Sequence, residues 1–142
     1  MLPDKAREIL HENRQCCLGT LDGEAPYLSL MLYSFIPEEE VIVMSSFRNS
    51  SKVKQILKNP RAAILVHEAE ELENPVSLTL LGNIAVLAGQ PAEYYRDLHS
   101  HSHPQQAQFI EGTEIAILLF TPSGGILADR QGGVDRFGVA ED

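Results

Sequence analysis

The residues best suited to chemistry gather around one short stretch. The chain has eleven lysines and arginines against 20 acidic residues, a formal net charge of -9, yet Arg48, Lys52, Lys54, Lys58 and Arg61 fall close together. The order Ser45-Ser46-Phe47-Arg48-Asn49-Ser50-Ser51-Lys52 sets hydroxyls and two cations where an apolar strand ends and a helix begins. A helix start offers unpaired backbone N–H groups and partial positive charge, which suits a phosphate. Arg48 can add a forked contact and Lys52 a point charge. Ser50 or Ser51 can cap the helix or donate a hydroxyl to the anion. Two readings fit these residues: a phosphate cradle, or a capped helix with a solvated basic face.

Other groups are weighed against that stretch. His99, His101 and His103 alternate with Leu98, Ser100 and Ser102. On an extended segment alternate residues share a face and can bind a transition metal or an iron porphyrin. Pro104 and the scarcity of carboxylates and thiols nearby favour a surface loop instead, and no metal site is assigned. Glu68, Glu70, Glu71 and Glu73 read as solvated charge on a loop. Cys16 and Cys17 are adjacent and point to opposite faces of a strand, so they read as reduced, partly buried thiols. Asp129-Arg130 and Asp135-Arg136 lie among glycines, as a ligand contact or a mobile tail. No Ser/His/Asp order, dinucleotide glycine fingerprint or zinc spacing is present, so no catalytic side chain is assigned.

The net charge of -9 argues against general affinity for nucleic acid or an anionic membrane, both of which need a basic field. Asp4, Lys5, Arg7 and Glu8 stand where a signal peptide needs an apolar core, which predicts a cytoplasmic protein. No apolar run is long enough to cross a bilayer.

These groups need a frame. The 142 residues, 44% hydrophobic, predict one domain over residues 1–142. Pro3 to Asn13 reads as an amphipathic helix, Cys16 to Leu21 as a strand, and Asp22-Gly23 as a hairpin turn. Pro26 to Phe35 reads as one strand, folded by a turn at Pro37 against Val41 to Ser45. Ser51 opens a helix that stops at Asn59-Pro60, because the residue before a proline avoids helical geometry. Arg61 to His67, Val76 to Ala88 (bent near Gly82), Glu114 to Thr121 and Gly125 to Asp129 read as further strands. Pro91 to Leu98 reads as a helix broken by the histidines, and Gln105 to Ile110 as a turn. About six strands at short spacing predict a mainly β, α+β antiparallel barrel decorated by helices. Ser29 to Leu32 and the Val41 to Ser45 strand would then offer a flat, mostly apolar wall with a few hydroxyls, a surface that suits a heteroaromatic ring.

The run Pro26-Tyr27-x-Ser29-Leu30, then Val43-Met44-Ser45, Ser51-Lys52 and Asn59-Pro60-Arg61 resembles the pyridoxamine 5′-phosphate oxidase-like, FMN-binding split-barrel family. Cys17 to Gly23 resembles its first strand and turn, and Val76 to Val86 its long middle strand. The resemblance implies a six-stranded split barrel, a homodimer, and FMN at the subunit interface. It puts the phosphate near Arg48, Ser51 and Lys52, and the ring against Ser29, Leu30, Met31, Leu32, Met44, Ser45 and Ser46. Thr79 or Ser77 would come from the partner's long strand. The vitamin B6 oxidases have an arginine near the position of Ser29 and a tryptophan-bearing C-terminal segment, whereas this chain has no tryptophan. The resemblance is therefore to the small stand-alone and haem-utilisation types. It implies a flavin-dependent oxidoreductase, with a haem-handling protein and a non-catalytic ligand-binding barrel as alternatives.

Overall fold

Alternating burial along Gln15–Asp22 (β1) turns Cys16, Leu18 and Thr20 inward, as half-buried strands require. A tight connection with Gly23 at φ 65° returns the chain along Ala25–Leu32 (β2), in register from Gln15↔Leu32 to Asp22↔Ala25. The computed structural model describes residues 1–141. The remaining strands are Ser34–Ile36 (β3), Val41–Phe47 (β4), Arg61–His67 (β5), Ser77–Val86 (β6), Ile115–Ala128 (β7) and Val134–Gly138 (β8). The helices are Asp4–Glu12 (α1), Ser51–Lys58 (α2) and Gly89–Ser102 (α3).

All pairings are antiparallel, in the order β2-β1-β5-β6-β7-β4-β3, with β8 added to β7. β2 and β3 follow each other in the chain yet stand at opposite ends of that path. The sheet therefore curls until its ends meet at Tyr33. No ladder joins β2 to β4 among the described residues, so the barrel is open along that seam: it is a split barrel. Its interior is a single apolar cluster including Leu18, Met31, Ile42, Met44, Leu80 and Phe120. α1 plugs one end with Ala6, Ile9 and Leu10, and full burial of each larger side chain contributes about 1.5–3 kcal/mol. A second cluster, Val41, Val43 and Ile117 with Ala92 and Ile110, lies outside the barrel, where α3 and the segment after it cover β4 and β7.

Five details differ from the sequence reading. The stretches read as strands at Glu114 to Thr121 and Gly125 to Asp129 are one continuous strand, β7. The sheet has eight strands rather than six. Pro26 to Phe35 is two strands, because Tyr33 turns into the core: its hydroxyl donates to the Leu10 carbonyl at 2.7 Å and its amide to the Arg14 carbonyl at 2.9 Å. β2 thus pairs with β1, and only β3 pairs with β4. The glycine-rich tail is strand β8, not a loose end. Gly138, at φ 63°, packs so tightly on Ser123 and Gly124 that a Cβ there would strike the Ser123 carbonyl. Finally, α3 runs through the histidines to Ser102 instead of breaking at His99. The predicted bend near Gly82 is a β-bulge between Leu81 and Gly82. No helix among the described residues is long and apolar enough to cross a membrane.

Candidate functional site

The split leaves a cleft of about 280 Å³ on the seam between β2 and β4. Leu30, Met31 and Leu32 form one wall, and Ser45, Ser46 and Phe47 the other. Lys52 closes one end, while Gln106, Phe109, Ile110 and Ile115 form the opposite side. The walls are mainly apolar; Ser46 lies beside Lys52, the Ser45 hydroxyl donates to the Phe109 carbonyl at 3.2 Å, and Gln106 is the other polar lining residue.

The order of residues explains the hydroxyls beside Lys52. β4 ends as its apolar residues give way to Ser45 and Ser46, and Ser50 caps α2 by accepting from the Val53 amide at 3.3 Å. The Ser46 and Ser50 hydroxyls lie 2.9 Å apart, and Lys52 Nζ is 3.5 Å from Ser46 Oγ. No carboxylate lies within the 4.0 Å ion-pair distance of Arg48, Lys52, Lys54, Lys58 or Arg61 among the described residues. The cleft therefore ends in an un-neutralised ammonium, two hydroxyls and the first turn of a helix, a donor set matched to an anion.

The cleft brings together Leu30, Met31, Leu32, Ser45, Ser46 and Lys52 of the residues singled out in the sequence. The other five stand elsewhere. Arg48 bends back to β7, its guanidinium donating to the Thr113 carbonyl at 3.2 Å and the Ile115 carbonyl at 3.1 Å. Ser51 is exposed on the first turn of α2 and lines a different hollow, with Asp22, Lys54 and Lys58. Met44 is fully buried in the barrel core, with Cys16 Sγ 3.9 Å from its sulfur. Ser29 is half-buried on the Met31 side of β2, opposite Leu18. Thr79 lies on β6, paired with Leu65 and Ile126, away from this cleft. The sequence reading missed Gln106, Phe109, Ile110 and Ile115. The first three sit on the short turn after α3, where an apolar Phe-Ile pair just before a strand is the available signal.

The histidines are not a loop ligand set. On a helix His99 and His103 fall on one side and His101 on the other. His99 is fully buried, with Nδ1 2.6 Å from Ser34 Oγ; its Nε2 and the Ser100 hydroxyl have no protein partner. Burial, with His103 adding to it, pushes the His99 pKa down to about 3. His103 Nε2–H donates to the Tyr33 carbonyl at 2.6 Å, and its Nδ1 accepts from Arg14 at 3.0 Å. His101 is exposed, with Nδ1 donating to the Asp97 carbonyl at 2.8 Å. Glu68 is likewise not simply solvated: it pairs with Lys5 at 2.7 Å and accepts from the Val76 amide at 3.0 Å. Burial, reinforced by Cys17, pushes the Cys16 thiol up to about 12, so it is held as a protonated core side chain.

A half-open antiparallel barrel with a cation-ended cleft on its seam defines the split-barrel class. The chain belongs to the pyridoxamine 5′-phosphate oxidase family, whose model matches residues 2–122. A Schizosaccharomyces pombe protein named as a pyridoxamine 5′-phosphate oxidase homolog is 21% identical over 163 residues, covering 91% of this chain and 86% of that protein. A haem-binding protein of Mycobacterium smegmatis superposes with a TM-score of 0.84 at 17% identity, over 97% of this chain and 59% of that one. This chain therefore spans less than two thirds of that protein's length. A FAD-binding protein of Mesorhizobium loti superposes with a TM-score of 0.75 at 15% identity, over 88% of this chain and 92% of that one. At these identities the two structures speak to the fold alone.

Proposed function

We propose that this chain is an FMN-binding flavoprotein, active as a homodimer, and that its activity is flavin-dependent oxidoreduction. The observation that carries the reading is Lys52, un-neutralised and beside Ser46 and Ser50, at the end of an apolar slot. Lys52, the two hydroxyls and the free amides of the first turn of α2 hold the phosphate, with Ser51 on the same turn. Leu30 to Leu32 and Ser45 supply the surface for the ring. Arg48 serves as a brace that fixes the loop to β7 rather than as a phosphate ligand. The bound flavin supplies hydride or electron transfer; the chain supplies position and electrostatics. No side chain is assigned as acid or base.

Size and surface support the homodimer. About 280 Å³ is less than the roughly 300–1,000 Å³ of sites that enclose a small molecule, so one subunit encloses only part of a flavin. Beside the cleft, the outer face of the sheet carries Leu28, Leu30 and Leu65 at 70%, 72% and 43% exposure. The register lines up Leu30, Cys17, Leu65 and Thr79 across β2, β1, β5 and β6. A second copy on this face would cover the apolar row and complete the cleft, which is also where Thr79 would meet the cofactor.

The haem alternative has less support in the residues, since His99 and His103 are buried and engaged and only His101 of the three is exposed. Titration of FMN into the purified protein, followed by flavin fluorescence, tests the reading. Saturable quenching at one FMN per chain is expected. Unquenched FMN, or a Soret band on adding haem in its place, would overturn it.

A further inference from the structure

Next to the cleft lies a second, more polar hollow, a bay of about 610 Å³. It shares Leu32 and Gln106 with the cleft, so the two are neighbours. Glu12, Asn13, Arg14, Gln15, His67 and Gln105 line the rest of it, with Glu12 beyond ion-pair distance of Arg14. Arg14 is held in an unusual way. One guanidinium N–H donates to His103 Nδ1 at 3.0 Å, and His103 is buried. A carbonyl can only accept, so the His103 Nε2 that meets the Tyr33 carbonyl at 2.6 Å carries the proton, and Nδ1 is the acceptor facing Arg14. The ring is thus neutral. An arginine is usually oriented by a carboxylate, which also cancels its charge. Here a neutral imidazole fixes the guanidinium and leaves the charge intact. Although 20 acidic residues stand in the chain, none lies within the 4.0 Å ion-pair distance of Arg14 among the described residues.

We propose that this bay binds the carboxylate of an organic substrate, with Arg14 as the anion contact and His103 as the residue that positions it. The remaining guanidinium N–H groups offer a fork to a planar carboxylate, and the glutamine amides add neutral donors. The substrate then reaches across Leu32 and Gln106 toward the cleft. Its role as the substrate end of a flavin site rests on the proposed function above; the anion site itself does not.

The test uses the full chain without flavin. Arginine side-chain and backbone ¹H–¹⁵N spectra are recorded while sodium benzoate, or separately inorganic phosphate, is added. Benzoate should shift the Arg14 Nε–H and Gln106 signals saturably. Arg14→Met should remove the response, and Arg14→Lys, which keeps the charge but loses the fork, should weaken binding at least about tenfold. His103→Leu should weaken binding likewise, whereas His103→Gln, whose amide oxygen can accept the same N–H, should retain it. Thermal melting of each variant separates loss of binding from loss of fold, and the exposed Arg14 variants suffice where a His103 variant does not fold. An unchanged benzoate response in Arg14→Met, equal binding in Arg14→Lys, or a response to phosphate and not to benzoate would overturn the proposal. Failure of FMN to bind counts against the flavin reading alone, and FMN binding without a benzoate response at Arg14 counts against this one alone.

Discussion

Lys52 and His99 each stand beside a serine hydroxyl, and the two regions put that pairing to opposite uses. Lys52 Nζ is a loose 3.5 Å from Ser46 Oγ, half-buried, and opens onto the cleft. His99 Nδ1 is a tight 2.6 Å from Ser34 Oγ, and α3 and β3 close over it. The first pair leaves charge and hydrogen-bonding capacity unspent at a surface. The second ties a helix to the point where the barrel's ends meet. A polar residue is available to a ligand when its own fold leaves it incompletely satisfied and reachable, and residue type alone does not decide that.

The contrast breaks most visibly at the histidine side. His99→Ala empties a fully buried site and leaves Ser34 without its partner, so it should cost about 2–4 kcal/mol in urea unfolding. FMN affinity, measured on the folded fraction, should stay near wild type; an equal loss at both would mean the two regions are one unit.

Acid sharpens the same side. The folded pKa of His99 lies at about 3, below the usual 6.5, so the unfolded chain takes up a proton that the folded chain refuses. The stability from neutral His99 is therefore complete above about pH 6.5 and is lost as pH falls from there toward 3. The slope from such a group is at most ~1.4 kcal/mol per pH unit. Burial also lowers the His103 pKa, in the same direction. Glu68, whose pKa is lowered by its hydrogen bond from Lys5, contributes acid lability too. Comparison with His99→Gln isolates the histidine's share: the variant's unfolding free energy should depend less steeply on pH between 6.5 and 4. Equal slopes would contradict the assignment.

On the cleft side, Leu65→Glu puts a charge on the exposed apolar row without touching the core. Sedimentation should show the wild type as a dimer and this variant shifted toward monomer, with weaker FMN binding. A variant that stays dimeric would place the interface elsewhere.

Much of this was legible beforehand where local signals agree. β5 spans Arg61–His67 as predicted, and α2 ends where Asn59-Pro60 forces it to. The Ser45 to Lys52 junction was legible because a strand, a cap and a cation fall in order within a few residues. What failed depends on contacts distant in sequence. The break at Tyr33 lies inside an unbroken apolar run and arises from bonds to Leu10 and Arg14. The His-Ser alternation imitates a strand period, yet α3 continues through it because His99 and His103 find buried partners on β3 and Tyr33. Arg48 carries the right chemistry for phosphate, but its fork is taken by carbonyls 65 and 67 residues away. β8 exists because glycines at 124, 125 and 138 let it lie close against β7.

The most direct test of the Lys52 cradle compares FMN with riboflavin, which has the same ring and no phosphate. Fluorescence titrations of wild type and Lys52→Ala should show FMN affinity falling at least about tenfold in the variant, while riboflavin affinity stays within about twofold. FMN binding unchanged by Lys52→Ala, or both ligands weakened alike, would contradict a phosphate held at the start of α2.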